Sequence, residues 1–593
     1  MNTWVNCKIF GFSEDIYKNG GSGDWVAGKA VLKKTRSRIT VVLIFFVLAY
    51  GAVIGRMTQL TFLSHHAAMT EEEITKEQVA QELNTTTRAN VYDAEGKLLA
   101  TSLKTSSLYA DPKMILDAKE AARKLSATFP DLTYDDLYKK FTSKRRFIWL
   151  KRNLTPKQMY MANSLGIPGV DFLDETRRVY PQGSLTAHVV GYTDIDNKGL
   201  SGIERGLNDM LLNSDTDVNT TIDVRLQHIL RREIAASIKD FDSIGGSGLI
   251  MNVHTGEIVA MVSLPDYNPH NPGVITDVER FNRNTLGAYE MGSTFKSFTI
   301  AALLEAQHPP ITTRFNTTAP LRRGGFTIHD YHPEPHPLTI SEIFMHSSNI
   351  GAALIAEKVG TPGIQSFFKK LGLFDKPNFE IKEVAAPLLP KPWRDISTDT
   401  ASFGHGIAVS PVQLVSAYAT LVNGGYKVQP TLIKRSPDAY QNRERILSED
   451  TSRTMRELLR IVVSDGTASK ANVVGYRVGG KTGTAEKTLS HGYSKKAQIA
   501  SFVGVFPMDD PQYVVLIMND EPKGNKKSYG FATAGWAAAP YVGNVIRDIA
   551  PLVGIYPARD TNLAMVKAKM GIAPPQAAIP TATLQGGGRL ASY

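Results

Sequence analysis

A serine and a lysine three residues apart, Ser293-Thr294-Phe295-Lys296, stand at the start of a helical stretch in this 593-residue chain. At that spacing two side chains share one helix face, about 5–6 Å apart between Cβ atoms. An amine so placed can take the hydroxyl proton, leaving an oxygen nucleophile suited to acyl transfer. A free lysine is a poor base, because keeping it neutral at pH 7 costs ~4–5 kcal/mol when its ordinary pKa is ~10.4. Burial and a second ammonium nearby both lower that pKa, and Lys481 of Lys481-Thr482-Gly483-Thr484 can supply the second charge. A third motif, Ser347-Ser348-Asn349, lies between them. Ser347 can relay a proton to a leaving amine, and Asn349 can bond a substrate amide. Thr482 and Thr484 can grip a terminal carboxylate, while Gly483 leaves room for substrate to lie along a strand edge. The backbone N–H groups of Ser293 and Thr484 form the expected oxyanion hole, each donor worth ~3–4 kcal/mol in a comparable site. Singly each motif is weak, since Ser-x-x-Lys arises by chance in a chain of this size. The ordered triple is specific.

The elements that must position these residues read as an α+β domain. Leu249–Val253 and Glu257–Leu264 are apolar runs joined by His254-Thr255-Gly256, a hairpin pattern. Gln498–Val505 and Tyr513–Met518 form a second pair across the turn formers Phe506 to Pro511. Helical stretches lie between: Lys296–Ala306, Ser341–Val359, and Pro411–Asn423 closed by Gly424-Gly425. Strands at both ends with helices between imply an antiparallel sheet completed by distant segments. A strand-like run, Tyr476–Val478, leads into Lys481. Upstream, Arg88–Thr101 reads as a hairpin around Glu95-Gly96 and Thr70–Leu83 as a helix. The stretch to about Asp215 carries no catalytic constellation and has the character of a spacer or docking module.

Ile39–Gly55 is a run of seventeen residues without a charge, ~25 Å as a helix against a hydrocarbon core of ~30 Å. Arg38 and Arg56 flank it, and Lys29, Lys33, Lys34 and Arg36 precede it. The excess of basic residues upstream places the N-terminus in the cytoplasm and the rest of the chain beyond the membrane. The run exceeds the apolar core of a signal peptide, roughly 7–15 residues, so an uncleaved anchor is expected.

Hydrophobic residues make up 42% and charged residues 21%, which excludes a largely disordered chain. The net charge of +10 favours polyanions without choosing among nucleic acid, lipid and an anionic wall precursor. The single cysteine, Cys7, permits neither an intrachain disulfide nor a multi-thiolate metal site. No glycine loop for phosphate and no nucleic-acid motif occurs, so no cofactor and no nucleic acid is expected. His329, Asp330, His332, Glu334 and His336 sit in IHDYHPEPH. Pro333, Pro335 and Pro337 stiffen that loop against wrapping an ion, and a loop bordering the active site is expected in place of a metal site.

The three motifs together are those of penicillin-binding proteins and β-lactamases. Further stretches extend the similarity: Arg88 with Asp93 and Gly96, Arg177-Arg178-Val179-Tyr180-Pro181, Gly202-Ile203-Glu204, Thr221-Ile222-Asp223, and Phe403-Gly404-His405-Gly406 before Ser410-Pro411 and Gln413. Over roughly residues 38–555 the chain resembles class B penicillin-binding proteins of the division-specific FtsI type. Ile350-Gly351 after the Ser-Ser-Asn motif, and Lys487 after Lys-Thr-Gly-Thr, look more like division than elongation enzymes. Met291 departs from the proline common at that position.

Residues 1–38, Gly-rich and polar near Asn19–Gly23, read as a flexible cytoplasmic segment, and the Ala- and Pro-rich residues 557–593 as a disordered tail. For the rest, the resemblance implies an anchor 39–57, an elongated mixed α/β pedestal or dimerisation-like module 58–218 and a transpeptidase domain 219–556. It implies D,D-transpeptidation of peptidoglycan stem peptides during septal wall synthesis. Ser293, Lys296, Ser347, Asn349 and Lys481 would be catalytic, and Thr482, Gly483 and Thr484 substrate-binding. β-Lactams would acylate the same serine. Partners would be a SEDS-family glycosyltransferase and other divisome proteins at the division site. The competing readings are a division scaffold with dispensable catalysis and a β-lactam sensor or β-lactamase.

Overall fold

A computed structural model of the full chain describes residues 25–58, 88–213, 216–489 and 492–572. The chain divides into two units, residues 1–84 and 85–593. In the first, helix α1 spans Trp25–Thr58. Among the described residues it is the one helix long and apolar enough to cross a membrane, over Thr40–Thr58. The basic stretch expected to be flexible is therefore helical from Trp25 onward. Ala, Leu, Lys and Arg are good helix formers, and no proline interrupts them before the apolar run. Residues 1–24 and the helix expected over Thr70–Leu83 lie outside the described residues.

The second unit begins with a five-stranded sheet. Strands β1 (Val91–Tyr92) and β2 (Leu98–Ala110) form the expected hairpin, although β2 runs well past Thr101. Asp93 fastens its turn, Oδ1 accepting from the N–H groups of Glu95 and Lys97 at 2.9 and 2.7 Å. β3 (Ile148–Leu154) and β4 (Val170–Val179) both pair antiparallel with β2, and β5 (Val218–Asn219) runs parallel to β1. Leu108, Leu125, Leu137, Phe141 and Leu150 make a small core of their own. Beneath the sheet Glu204, fully buried, accepts from Arg88 Nε at 2.5 Å and Arg178 Nε at 2.7 Å. Arg178 also donates to Ala89 O at 2.8 Å. Three stretches far apart in sequence are thus joined by one buried carboxylate, and removing one member of such a cluster leaves an uncompensated charge.

Beyond it helix α2 (Val224–Phe241) leads into β6 (Gly245–Asn252) and β7 (Ile258–Leu264). Helices α3 (Lys296–Gln307), α4 (Ile340–His346), α5 (Asn349–Val359), α6 (Pro411–Val422) and α7 (Glu449–Ser464) follow. The chain then returns to the sheet as β8 (Gly479–Leu489), β9 (Gly492–Phe506) and β10 (Tyr513–Asp520), before helices α8 (Ala539–Ile549) and α9 (Leu563–Lys569). The sheet order is β8-β9-β10-β6-β7, antiparallel throughout, with Leu516 opposite Leu249 where the distant segments meet. Gly248 passes beneath Ile234 of α2 and Gly504 beneath Val542 of α8, so these helices cover one face. α6, buried along its whole length, covers the other, with Ser416 against Met251. α3 packs on α6 through Phe298 and Tyr418, ring centroids 5.2 Å apart. Both expected hairpins of this sheet are present.

Three expectations need correction. The helical stretch Ser341–Val359 is two helices, because Ser347 adopts left-handed backbone (φ 62°) and Ser348 is extended. Tyr476–Val478 is not strand: left-handed Gly475 (φ 90°) and Arg477 (φ 41°) interrupt the backbone, and β8 begins at Gly479. The tail expected to be disordered from 557 is ordered through 572, where Met570 is fully buried and Leu563, Val566 and Ile572 pack on the main core. Residues 573–593 lie outside the described residues.

Candidate active site

Ser293 sits in a 3₁₀ turn, Gly292–Phe295, that runs directly into α3. Glycine is required twice to build this turn. A Cβ on Gly292 (φ 53°) would stand 2.7 Å from Thr484 O, and one on Gly404 (φ 79°) would stand 2.1 Å from Gly292 O. The turn is thus pressed between strand β8 and the Phe403-Gly404-His405-Gly406 turn, and Gly292 donates its N–H to Gly404 O at 3.2 Å. Tyr418, fully buried on α6, holds it from beneath: its hydroxyl donates to Thr294 O at 2.8 Å and pairs with Ser297 Oγ at 2.7 Å.

Two lysines of the motifs are sealed from solvent, Lys296 and Lys481 each 0% exposed. Lys296 Nζ donates to Asn349 Oδ1 at 2.7 Å, to Ser347 Oγ at 3.1 Å and to Ser347 O. Lys481 Nζ donates to the same Ser347 Oγ at 3.0 Å. One hydroxyl therefore links both amines. Burial, then the charge of Lys481, holds Lys296 well below the ordinary lysine value against the opposing pull of Asp330. Burial alone lowers Lys481 to about 7. A site that disfavours ammonium in this way keeps a base neutral near physiological pH.

Ser347 closes α4 in left-handed backbone, and Ser348 caps α5 by accepting from Gly351 N at 2.9 Å. The IHDYHPEPH loop completes this junction. Asp330 accepts from Ser348 Oγ at 2.6 Å, from Asn349 N at 2.5 Å and from Ile350 N at 3.0 Å. The carbonyl of His329 accepts from Asn349 Nδ2 at 3.0 Å. Asp330 is thus a helix-capping anion at the first turn of α5, and the neighbouring His329 carbonyl fixes the Asn349 side chain that faces Lys296. Sequence reasoning placed this loop beside the site but assigned Asp330 no part in it; its closeness to three histidines drew attention to metals.

Among the described residues, strand β8 is the edge of its sheet and pairs only with β9. Thr482 Oγ1 meets Thr467 Oγ1 at 2.9 Å, and Thr484 Oγ1 accepts from Ala534 N at 3.2 Å. Gly483 is constrained by packing as well. A Cβ there would lie 2.4 Å from Met291 O, so its bareness admits the Ser293 turn. Lys487 pairs with Asp520 and Glu521 at 2.8 and 2.7 Å, tying the strand across the sheet. A cleft of about 870 Å³ adjoins the motifs, lined by Glu290, Phe326, Asn349, His405, Glu486 and Lys487 among others. Neither buried lysine lines it, and the cleft runs beside the later half of β8.

Every residue expected in the site is drawn to one locality: the Ser293 turn, the two lysines, the Ser347–Asn349 junction and the Thr482–Thr484 edge. The residues sequence reasoning missed are Asp330, Thr467 and Tyr418. None of them belongs to a motif, and each acts through a contact made by an element remote in sequence.

Two family models match this chain, the penicillin binding protein transpeptidase domain over residues 246–542 and the penicillin-binding protein dimerisation domain over 83–225. The chain is 40% identical over 506 residues to the probable peptidoglycan D,D-transpeptidase FtsI of Caulobacter vibrioides, covering 83% of this chain and 85% of that one. It is 28% identical to the peptidoglycan D,D-transpeptidase FtsI of Escherichia coli, covering 85% and 90%. The crystal structure of penicillin binding protein 3 from Mycobacterium tuberculosis complexed with aztreonam shares the fold, with a TM-score of 0.63 at 23% identity over 80% of this chain and 98% of that one.

Proposed function

The chain belongs to the class B penicillin-binding transpeptidases, and on that premise we propose that it crosslinks peptidoglycan stem peptides through an acyl-enzyme on Ser293. Ser293 Oγ attacks the carbonyl between the two terminal D-alanines while neutral Lys296 takes its proton. The N–H groups of Ser293 and Thr484 receive the negative charge that develops on the carbonyl oxygen. The proton passes through Ser347 Oγ to the leaving amine, and D-alanine departs. An amine of a neighbouring stem peptide then attacks the ester, returning the proton along the same path and freeing the serine. Thr482 and Thr484 hold the terminal carboxylate beside Gly483, Lys481 supplies the second amine at Ser347, and Asn349 bonds the peptide amide. A β-lactam places its own strained amide at the same serine.

The observation that carries this reading is the single Ser347 hydroxyl within 3.1 Å of two buried amines. Two amines that give up their protons readily supply both a base for attack and an acid for departure. The basic residues before the apolar run support an N-terminus in the cytoplasm and a catalytic domain beyond the membrane. The FtsI relatives support action at the division septum, and the partners proposed there are a SEDS-family polymerase and other divisome proteins. The segments then read as a cytoplasmic region to 38, an anchor 39–57, a pedestal 58–218 and a transpeptidase domain 219–556. Detergent-solubilised full-length protein is expected to form a long-lived covalent adduct with fluorescent penicillin, mapped by mass to Ser293 and absent in Ser293→Ala. An adduct that persists in Ser293→Ala would overturn the assignment, and rapid penicillin hydrolysis without an adduct would indicate a β-lactamase.

A further inference from the structure

The segment after α8 lies outside the stretch matched by the transpeptidase family, which ends at 542. Its contacts converge on α7, α4 and the entry to β8, which adjoin the motifs. Ala558 N donates to Gly475 O at 2.8 Å, fastening the segment beside the turn that precedes β8. Asp560 accepts from Arg460 Nε of α7 at 3.0 Å, and Arg460 Nη1 reaches on to Val478 O at 2.8 Å. Val478 is the last residue before β8, three short of Lys481. Lys567 pairs with Asp465 at 2.7 Å, and Lys569 with Glu457 at 2.5 Å. Asp465 closes α7, two residues before the Thr467 that meets Thr482. The carbonyl of Met570 accepts from Ser341 Oγ at 2.7 Å, both residues being 0% exposed. Ser341 stands in the first turn of α4, whose closing residue is Ser347.

We propose that residues 558–572 form a strap that positions two of the three catalytic motifs from behind: Ser347 through Ser341 and α4, and Lys481–Thr482 through Arg460, Asp465 and the entry to β8. The inference rests on the acyl-enzyme reading of Ser293. Ser347 Oγ must stay within hydrogen-bond reach of both lysines, and its place is set by where α4 ends. A helix of two turns has little rigidity of its own, so its placement follows from what it is fastened to. Met570 O is a fixed, desolvated acceptor for its first turn. At the other motif, Asp560 orients an Arg460 that in turn holds the carbonyl next to the catalytic strand. The strap touches no substrate-facing atom. Its residues act by holding others.

The test compares full-length protein with three variants in the same detergent. One stops after Ile572, one stops after Arg559, and one combines Ser341→Ala with Asp560→Asn in the full chain. Stopped-flow labelling with fluorescent penicillin resolves the non-covalent dissociation constant from the acylation rate constant, and thermal unfolding is followed alongside. Stopping after Ile572 is expected to leave both constants within twofold of the parent. Stopping after Arg559, and the double substitution, are expected to lower the acylation rate constant at least tenfold with the dissociation constant within threefold. If the shorter chain fails to fold, the double substitution decides. Parental acylation in the double variant, with only a lower unfolding temperature, would overturn the proposal, as would an equal loss on removing 573–593 alone. Failure of the parent protein to label would instead refute the acyl-enzyme reading, so the two failures are distinct.

Discussion

Replacing Asp330 with alanine is expected to slow acylation of Ser293 by about 30- to 150-fold in a protein that remains folded. The carboxylate accepts three hydrogen bonds, from Ser348 Oγ, Asn349 N and Ile350 N, at 2.5–3.0 Å. Losing a helix cap costs about 1 kcal/mol, and a hydrogen bond to a charged group contributes about 1.5–3 kcal/mol. Because the three bonds share one carboxylate, about 2–3 kcal/mol is the expected combined loss. At about 1.36 kcal/mol per decade of rate, that is the stated range if the whole of it serves to hold Ser347 and Asn349. Asp330→Asn keeps an acceptor but drops the charge, about 1 kcal/mol, so five- to tenfold is expected. The pH profile adds a second sign. The negative charge of Asp330 raises the pKa of Lys296 against burial and Lys481. Neutral Lys296 is the competent form, so removing that charge moves the acid limb of the acylation profile to lower pH. A lower plateau with an acid-shifted limb separates misplaced groups from a weakened base. The measurement is stopped-flow acylation by fluorescent penicillin from pH 5.5 to 9. A plateau within threefold of the parent, or a limb displaced to higher pH, would refute the reasoning.

Gly483→Ala places a methyl group where Met291 O lies 2.4 Å away. Overpacking of this kind costs about 1–3 kcal/mol, and the Ser293 turn is what must yield, so a 10- to 100-fold slower acylation is expected by intact-mass time course; a parental rate would show that the contact relaxes without moving the nucleophile. Lys481 has its pKa lowered by burial to about 7 in the folded state, against an ordinary lysine value of 10.5. Between those values the unfolded chain binds the extra proton, so this group makes the fold more stable as pH rises. From pH 7 to 9 the gain is about 2 kcal/mol, and it is expected to vanish from the urea-unfolding profile of Lys481→Met. Identical pH dependence in the two proteins would contradict the burial of a neutral amine.

The gathering of Ser293, Lys296, Ser347, Asn349 and Lys481 was legible before the fold because they stand in short motifs that the structure brings together. The sheet was legible because Leu249–Leu264 and Gln498–Met518 carry apolar runs with turn formers between them. Breaks inside apolar helical text were harder to see. Ser341–Val359 has no glycine or proline at the point where the chain reverses, and the break exists because Asp330, remote in sequence, accepts the N–H groups that a continuous helix would have used. Tyr476–Val478 has strand composition, yet neighbouring left-handed residues override it. The strap was missed through averaging. Leu563, Val566 and Met570 alone show helical spacing, but the Ala- and Pro-rich residues that follow mask it. The helical reach of α1 back to Trp25 was obscured in the same way by the glycine-rich text before it.

Strand β8 leaves one side of its backbone without a sheet neighbour, a condition most proteins conceal because it invites other strands. On the acyl-enzyme reading proposed above, it dictates what a ligand must look like. A guest that completes the edge is recognised through its own main-chain donors and acceptors, and its side groups project away into the adjoining cleft. Discrimination then falls on the backbone and its carboxylate terminus, and a wide range of appendages on an amide of the right shape is tolerated.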